Sequence, residues 1–360
     1  LNIIVTVSAD VNGYLAKLVT GRHTPGISYA FFSSDQIIKS FHFGLADVLK
    51  QKPVEESTSF NAYSVTKTFT ALGILQLAEK GRLRLDDPAT QLLASFPYPE
   101  PITVRHLLTH TSGIPNPIPL KWIHLKEEHR RFDRDQFFRR IFHQHSRLKS
   151  APGATFSYSN LNYVLLGQII ESVTGMEYEE FIRAGILNLI DPGATELRFN
   201  IDELRQAKGY HKRLSISGAL LGFLVDRLKY MDEAEGGWMP FKFILVNGTA
   251  YGGLIATAAA LTSYGQELLD DRCRFISQES KRLLFTENKT CGGKRTGMCL
   301  SWFRGELNGR EYFCHAGGGG GYYCEVRLYP SINRGSVVML NRSGLTDERL
   351  LSSIDRFVIR

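Results

Sequence analysis

At 360 residues the chain is long enough for one large domain, or for two that share a cleft. Hydrophobic residues make up 43% and charged residues 22%, an ordinary globular balance, and a net charge of +7 is too modest to make nucleic acid the expected partner. No stretch offers the roughly 18 uninterrupted apolar residues of a membrane span.

In chain order, the first residues, LNIIVTVSAD, carry neither the basic start nor the small-residue cleavage site of a secretory leader. Gly26–Phe32 and Gln36–Phe43 are short runs rich in β-branched and aromatic residues, split by Ser33-Ser34-Asp35, and predict a hairpin. Val65 to Lys80 carries Val65, Phe69, Leu72 and Leu75 at helical spacing and stops at Gly81, which predicts an amphipathic helix with a glycine cap. The basic stretch Lys121 to Lys149 places Phe138 and Phe142 four apart, the pattern of a solvated helix with one buried face. Leu161 to Thr174 predicts a second helix, closed by Gly175, and Leu214 to Leu228 a buried or pocket-lining one. From about Thr296 the texture becomes alternating: strands are predicted at Met298–Phe303, Glu311–His315, Tyr322–Leu328 and Ser336–Leu340, with a closing helix from Thr346 to Phe357. Strands at both ends around a helical middle predict an α/β fold. Its sheet domain comprises residues 1–62 and 249–360, its all-helical second domain residues 63–248, and the active site lies in the cleft between them. Five cysteines (Cys273, Cys291, Cys299, Cys314, Cys324) form no zinc-like pair, and although Cys314 and Cys324 could meet across a hairpin, free thiols are expected.

Three pieces carry chemistry. Ser64-Val65-Thr66-Lys67 opens the first strong helix, and a spacing of three puts the Lys67 amine beside the Ser64 hydroxyl. A serine needs such a base, because its hydroxyl is a weak nucleophile until the proton is taken. Ser146-Arg147-Leu148-Lys149 repeats the spacing in a solvated basic stretch, so the motif alone decides little. Tyr158-Ser159-Asn160 precedes the Leu161 helix, and its tyrosine suits a proton shuttle, whereas Asn160 alone would serve as a helix cap. His315-Ala316-Gly317 runs into Gly318–Gly321, where a glycine edge admits a substrate backbone and the Gly318 N–H suits an oxyanion. His106 and His110 have metal-like spacing without the glutamate of a zincin and are expected to be structural. No G-x-S-x-G elbow of an α/β-hydrolase is present.

Ser-x-x-Lys, Tyr-x-Asn and His-x-Gly in this order, with the flanks FNAYSVTKTFTA (60–71), GRLRLDDP (81–88), ITVRHLLTHTSGI (102–114) and FSYSNLNYVLLG (156–167), resemble class C β-lactamases, DD-peptidases and related esterases from about Pro25 to Asn341. The resemblance implies an antiparallel sheet flanked by helices, with Ser64 as the acylated nucleophile and Lys67 and Tyr158 as its proton-handling pair. It implies an oxyanion hole from the N–H groups of Ser64 and Gly318. Asn160, His315, Ala316, Gly317, Tyr251 and Ile114 would contact the substrate. No metal or organic cofactor is implied, and the partner is a small molecule or short peptide. The oligomeric state stays open, and so does the compartment, with a periplasmic or secreted location favoured.

One departure bears on the substrate. Class C β-lactamases usually carry Lys-Thr-Gly where this chain has His315-Ala316-Gly317. Histidine is a partial cation that charges further toward about pH 6, and alanine offers no hydroxyl. Esters or D-amino-acid peptides are therefore expected ahead of penicillins. A class C-type β-lactamase and a catalytically silent binding member are the alternatives.

Overall fold

The computed structural model describes residues 10–117, 119–191, 196–213, 226–344 and 349–359. Most of the apolar run at Leu214–Leu228, nearly all of the opening decapeptide and the start of the closing helix lie outside them.

Seven strands form the main sheet: β1 (Gly26–Phe32), β2 (Ile37–Asp47), β3 (Lys52–Pro53), β4 (Phe303–Leu307), β5 (Arg310–Gly319), β6 (Tyr322–Tyr329) and β7 (Arg334–Leu340). Their order is β4-β5-β6-β7-β1-β2-β3, and every pairing is antiparallel. The N-terminal hairpin thus joins the C-terminal meander through β1 and β7, with Ile27 opposite Leu340 and Phe32 opposite Gly335.

Both faces of the sheet are covered. β1 and β6 are buried along their whole length; β1 reads as a nearly continuous apolar run, whereas β6 carries Glu325 and Arg327 at alternate positions. On the outer face Ile27, Tyr29, Tyr323, Val338 and Leu340 pack with Val11 and Leu15 of helix α1 (Val11–Thr20) and with the C-terminal Leu351 and Ile354. On the inner face Phe32, Val326, Leu328 and Met339 join the large core that the sheet shares with the helices. Cys314 belongs to the outer cluster and Cys324 to the inner one, facing Arg327 and Gly317 respectively, so no disulfide can join them; all five thiols are free.

Two predicted elements change character. The helix after Ser64, α2 (Thr66–Glu79), is buried from Thr66 through Leu77 on every side. It is the central helix of the molecule rather than an amphipathic surface one. Met298–Phe303 is a tight turn, not a strand: Ser301 has φ +71°, the Cys299 N–H bonds the Trp302 carbonyl, and β4 begins only at Phe303. The basic stretch folds as expected, with α3 (Arg134–Gln144) burying Phe138 and Phe142 while Arg134 pairs bidentately with Glu171 at 2.7 and 2.9 Å.

Candidate active site

The nucleophile turn is built by strand pairing and a strained residue. Ser59–Asn61 pairs with Ile255–Thr257, and the Ala62 N–H bonds the Leu254 carbonyl at 2.8 Å. The chain then turns through a short 3-10 segment, Tyr63–Val65, into α2. Tyr63 has φ +44°, a conformation an aromatic residue adopts only when its surroundings impose it. Ser64 is half-buried between buried neighbours.

Two threonines of α2 explain what surrounds Lys67. Thr70 donates to the Ala250 carbonyl at 2.7 Å, and the Leu254 N–H donates to Thr66 at 3.0 Å. Segment 250–254 is thereby stapled along the helix, and the carbonyl between those two bonds, that of Tyr251, accepts from Lys67 Nζ at 2.7 Å. The same nitrogen lies 3.0 Å from Ser64 Oγ and 5.2, 5.5 and 5.4 Å from the ring centres of Tyr158, Tyr163 and Tyr251. Lys67 is fully buried, and no carboxylate pairs with it among the described residues. Burial holds its pKa well below the ordinary lysine value, which favours the free amine.

Tyr158 lies against His110, ring centres 4.2 Å apart, and stacks on Phe303 at 6.3 Å. Asn160 opens helix α4 (Asn160–Thr174), whose C-terminal Gly175 is left-handed as a cap requires. Its backbone N–H and its Nδ2 both donate to Asn116 Oδ1, at 3.0 and 3.2 Å, while its Oδ1 has no partner among the described residues. Because the backbone N–H can only donate, it fixes the orientation of both amides. Ile114 is buried; its N–H reaches Ser112 Oγ at 3.1 Å, which in turn donates to Asn162 Oδ1 at 2.8 Å. The two histidines of the metal-like spacing do separate work. His106 Nδ1 accepts from the Thr103 N–H in a capping box, whereas His110 lies under Tyr158.

The third wall is β5. Its partner β4 ends opposite Cys314, so His315–Gly319 has no strand on that side among the described residues. A Cβ on Gly317 would stand 2.3 Å from the Ala62 carbonyl and 2.6 Å from the Ser64 nitrogen. The missing side chain therefore admits the nucleophile's own backbone. His315 is buried, 5.6 Å from Phe303 and 6.3 Å from Tyr158 between ring centres, with neither ring nitrogen hydrogen-bonded among the described residues. Burial, and then the neighbouring Lys67, pushes its pKa well below the usual 6.5. The expectation of a partial cation that charges near pH 6 is thus corrected in direction: burial beside Lys67 favours the neutral imidazole. The Ala316 methyl packs with the outer cluster, on the opposite face from His315.

Ser64, Lys67, Tyr158, Tyr251 and His315 therefore surround one point, with Asn160, Ile114, Gly317 and Gly318 on the adjoining segments. The sequence did not reveal the Tyr251 carbonyl or Asn116, and it marked His110 only as a structural residue. A backbone carbonyl leaves no side-chain signature, and Asn116 is marked only by its place two residues after Ile114.

Comparison with known proteins bears on the family and the fold. The model of the family described as Beta-lactamase matches residues 11–356. The chain is similar to penicillin-binding protein 4* of Bacillus subtilis, 27% identical over 323 residues that span 86% of this chain and 67% of the relative. It is also similar to Protein flp of Staphylococcus aureus, 34% identical over 165 residues, which are 44% of this chain but only 32% of that protein's length. Among solved structures, an octameric penicillin-binding protein homologue from Pyrococcus abyssi superposes with a TM-score of 0.75 at 27% identity, covering 97% of this chain and 76% of the other. The chain belongs to the Beta-lactamase family.

Proposed function

We propose that the chain is a serine hydrolase acting through an acyl-enzyme on Ser64, with esters and D-amino-acid peptides or amides as its substrate class. The observation that carries this reading is the Lys67 amine, fully buried with no carboxylate partner among the described residues and 3.0 Å from the Ser64 hydroxyl. A lysine held uncharged can take the serine proton as Oγ bonds to the substrate carbonyl carbon. Tyr158 then delivers a proton to the departing alcohol or amine as its bond to that carbon breaks. Water repeats the sequence in reverse to free the acid. The N–H groups of Ser64 and Gly318 are assigned to the developing oxyanion, where losing one such donor typically costs about 3 to 4 kcal/mol. The contact of Gly317 with the Ser64 nitrogen supports that pairing. Tyr251, Ile114 and the His315-Ala316-Gly317 edge are assigned to the substrate. Asn160 is assigned to the substrate's amide, its Oδ1 still to be satisfied.

The substrate preference rests on His315. A neutral imidazole gives a β-lactam carboxylate no fixed cation, and an uncharged ester loses nothing by that. A second reading, a binding member acylated by penicillin with little turnover, draws on the names of the Bacillus and Pyrococcus relatives.

A fluorophosphonate should add once per chain at Ser64, and Ser64→Ala should abolish the label. By kcat/KM, p-nitrophenyl butyrate or a D-alanyl anilide should surpass nitrocefin, with a ratio that stays constant between about pH 6 and 8, because burial holds the His315 pKa well below its usual value. Labelling at Ser112 or Ser159 would remove the nucleophile assignment. Penicillin labelling of Ser64 without turnover of any of these substrates would favour the binding reading.

A further inference from the structure

Tyr158 sits on a segment held on both sides by one residue that the proposed chemistry does not use. The N–H of Ser157, on one side of the tyrosine, donates to the His110 carbonyl at 2.8 Å. The N–H of Ser159, on the other side, donates to His110 Nδ1 at 3.1 Å. The ring of Tyr158 lies against the His110 imidazole at 4.2 Å. His110 has φ +54°, a left-handed backbone that a histidine adopts only when its surroundings impose it. We propose that His110 is the positioning residue for Tyr158, an Nε2–H imidazole that clamps the tyrosine by both neighbouring amides and by its ring.

The tautomer follows from the partners. An amide N–H can only donate, so Nδ1 must offer a lone pair and the ring proton must sit on Nε2. Asn162 Nδ2, at 3.4 Å, brings a second donor to the same nitrogen. Burial, with Lys67 and His315 nearby, keeps the ring uncharged, in agreement with that acceptor role. Nε2 finds no partner among the described residues, so no described side chain takes its proton. Positioning, not proton transfer, is therefore the role. This inference rests on the proposed hydrolase reading, in which the place of the Tyr158 hydroxyl sets the rate.

Two substitutions separate the clamp from mere packing. His110→Phe keeps an aromatic ring under Tyr158 but offers the Ser159 N–H no acceptor. His110→Asn places an amide oxygen near the position of Nδ1. With a turned-over ester, His110→Phe should lower kcat by about 100-fold, the effect of a displaced catalytic group, with little change in KM. His110→Asn should recover at least about tenfold of that loss. Full kcat in His110→Phe, or equal losses in both variants, would overturn the clamp. A readout independent of activity is 15N NMR of the histidine-labelled unsubstituted protein, which should show His110 protonated on Nε2, bare on Nδ1 and not titrating between about pH 6 and 8. A proton on Nδ1 would overturn the proposal. If the unsubstituted chain neither labels at Ser64 nor turns over any substrate, the hydrolase reading falls, and the nitrogen spectrum still decides whether His110 holds this segment as described.

Discussion

Two clusters of charged and titratable side chains are buried in this molecule, one on each face of the main sheet, and they treat burial in opposite ways. On the outer face Arg327 bonds Glu325 at 2.7 Å and Ser352 at 3.1 Å, stands 3.9 Å from Asp355, and lies 4.0 Å over the ring of Tyr312. Glu325 also accepts from Tyr323 and from the Leu351 N–H, and Asp355 from Tyr329 and Ser336. Charge there is matched by charge, and the network ties the C-terminal turn to β6 and β7. On the inner face Lys67, His110 and His315 are equally buried, yet no carboxylate is paired with them among the described residues, and burial drives all three toward their uncharged forms. The outer cluster ties chain segments together, whereas in the inner one the proposed chemistry asks only Lys67 to take up a proton. A buried ionisable group with partners reads as structure, and one deprived of them beside a serine reads as chemistry.

The sharpest way to break this comparison is to make both clusters apolar. Lys67→Met removes the amine but nearly keeps the volume. Turnover should fall by about a thousandfold or more, since base and nucleophile act as a unit. Stability should fall by no more than about 1 to 3 kcal/mol, because the removed group has no charge partner among the described residues and only the Tyr251 carbonyl and the Ser64 hydroxyl lose a hydrogen-bond partner. A Lys67→Met variant that melts far below the parent would mean that the inner lysine is a structural ion after all.

Arg327→Met should do the reverse. It strands Glu325 and Asp355 in the outer layer, and breaking a buried pair from one side costs about 3 to 5 kcal/mol. Denaturant unfolding should show that loss, while kcat per folded molecule stays unchanged, since the whole sheet separates the two clusters. A loss of kcat without a loss of stability would show that the faces are coupled.

How legible each cluster was in the sequence follows the same division. Ser64, Lys67 and Tyr158 lie in short motifs at helix starts, where spacing alone brings a base to a nucleophile, and the structure places them together. The outer network left no such mark. Glu325 and Arg327 alternate with apolar residues along a strand, as charges on a solvated face would, yet both are buried and meet Leu351, Ser352 and Asp355 of the C-terminal segment. That contact is long-range, and no local pattern encodes it. The glycines after His315 were legible as a close approach, but the approaching group is the turn at Ala62–Ser64 rather than a ligand alone. The expected titration of His315 failed for a related reason: burial depends on Tyr158 and Phe303, which are far apart in sequence.

The smallest expected effect concerns pH, where the two clusters should pull stability in opposite directions. Burial raises the Asp355 carboxyl to about 7, with Arg327 opposing the rise. Between its unfolded value near 3.8 and about 7 the folded chain then holds a proton that the unfolded chain has lost. That contribution is fully present at low pH and disappears as pH rises through 7. His110 and His315 behave inversely: their folded pKa values lie well below 6.5, so below that pH the unfolded chain binds the extra protons and stability is lost as pH falls. The signal is therefore sought in differences between variants. Relative to Asp355→Asn, the unsubstituted protein should gain on the order of 2 kcal/mol as pH drops from about 7 to 5; relative to His315→Gln, it should lose stability over the same interval. Urea unfolding at a series of pH values measures both. A gap to Asp355→Asn that stays constant with pH would mean that Asp355 remains ionised beside Arg327, leaving the outer cluster a purely ionic clasp.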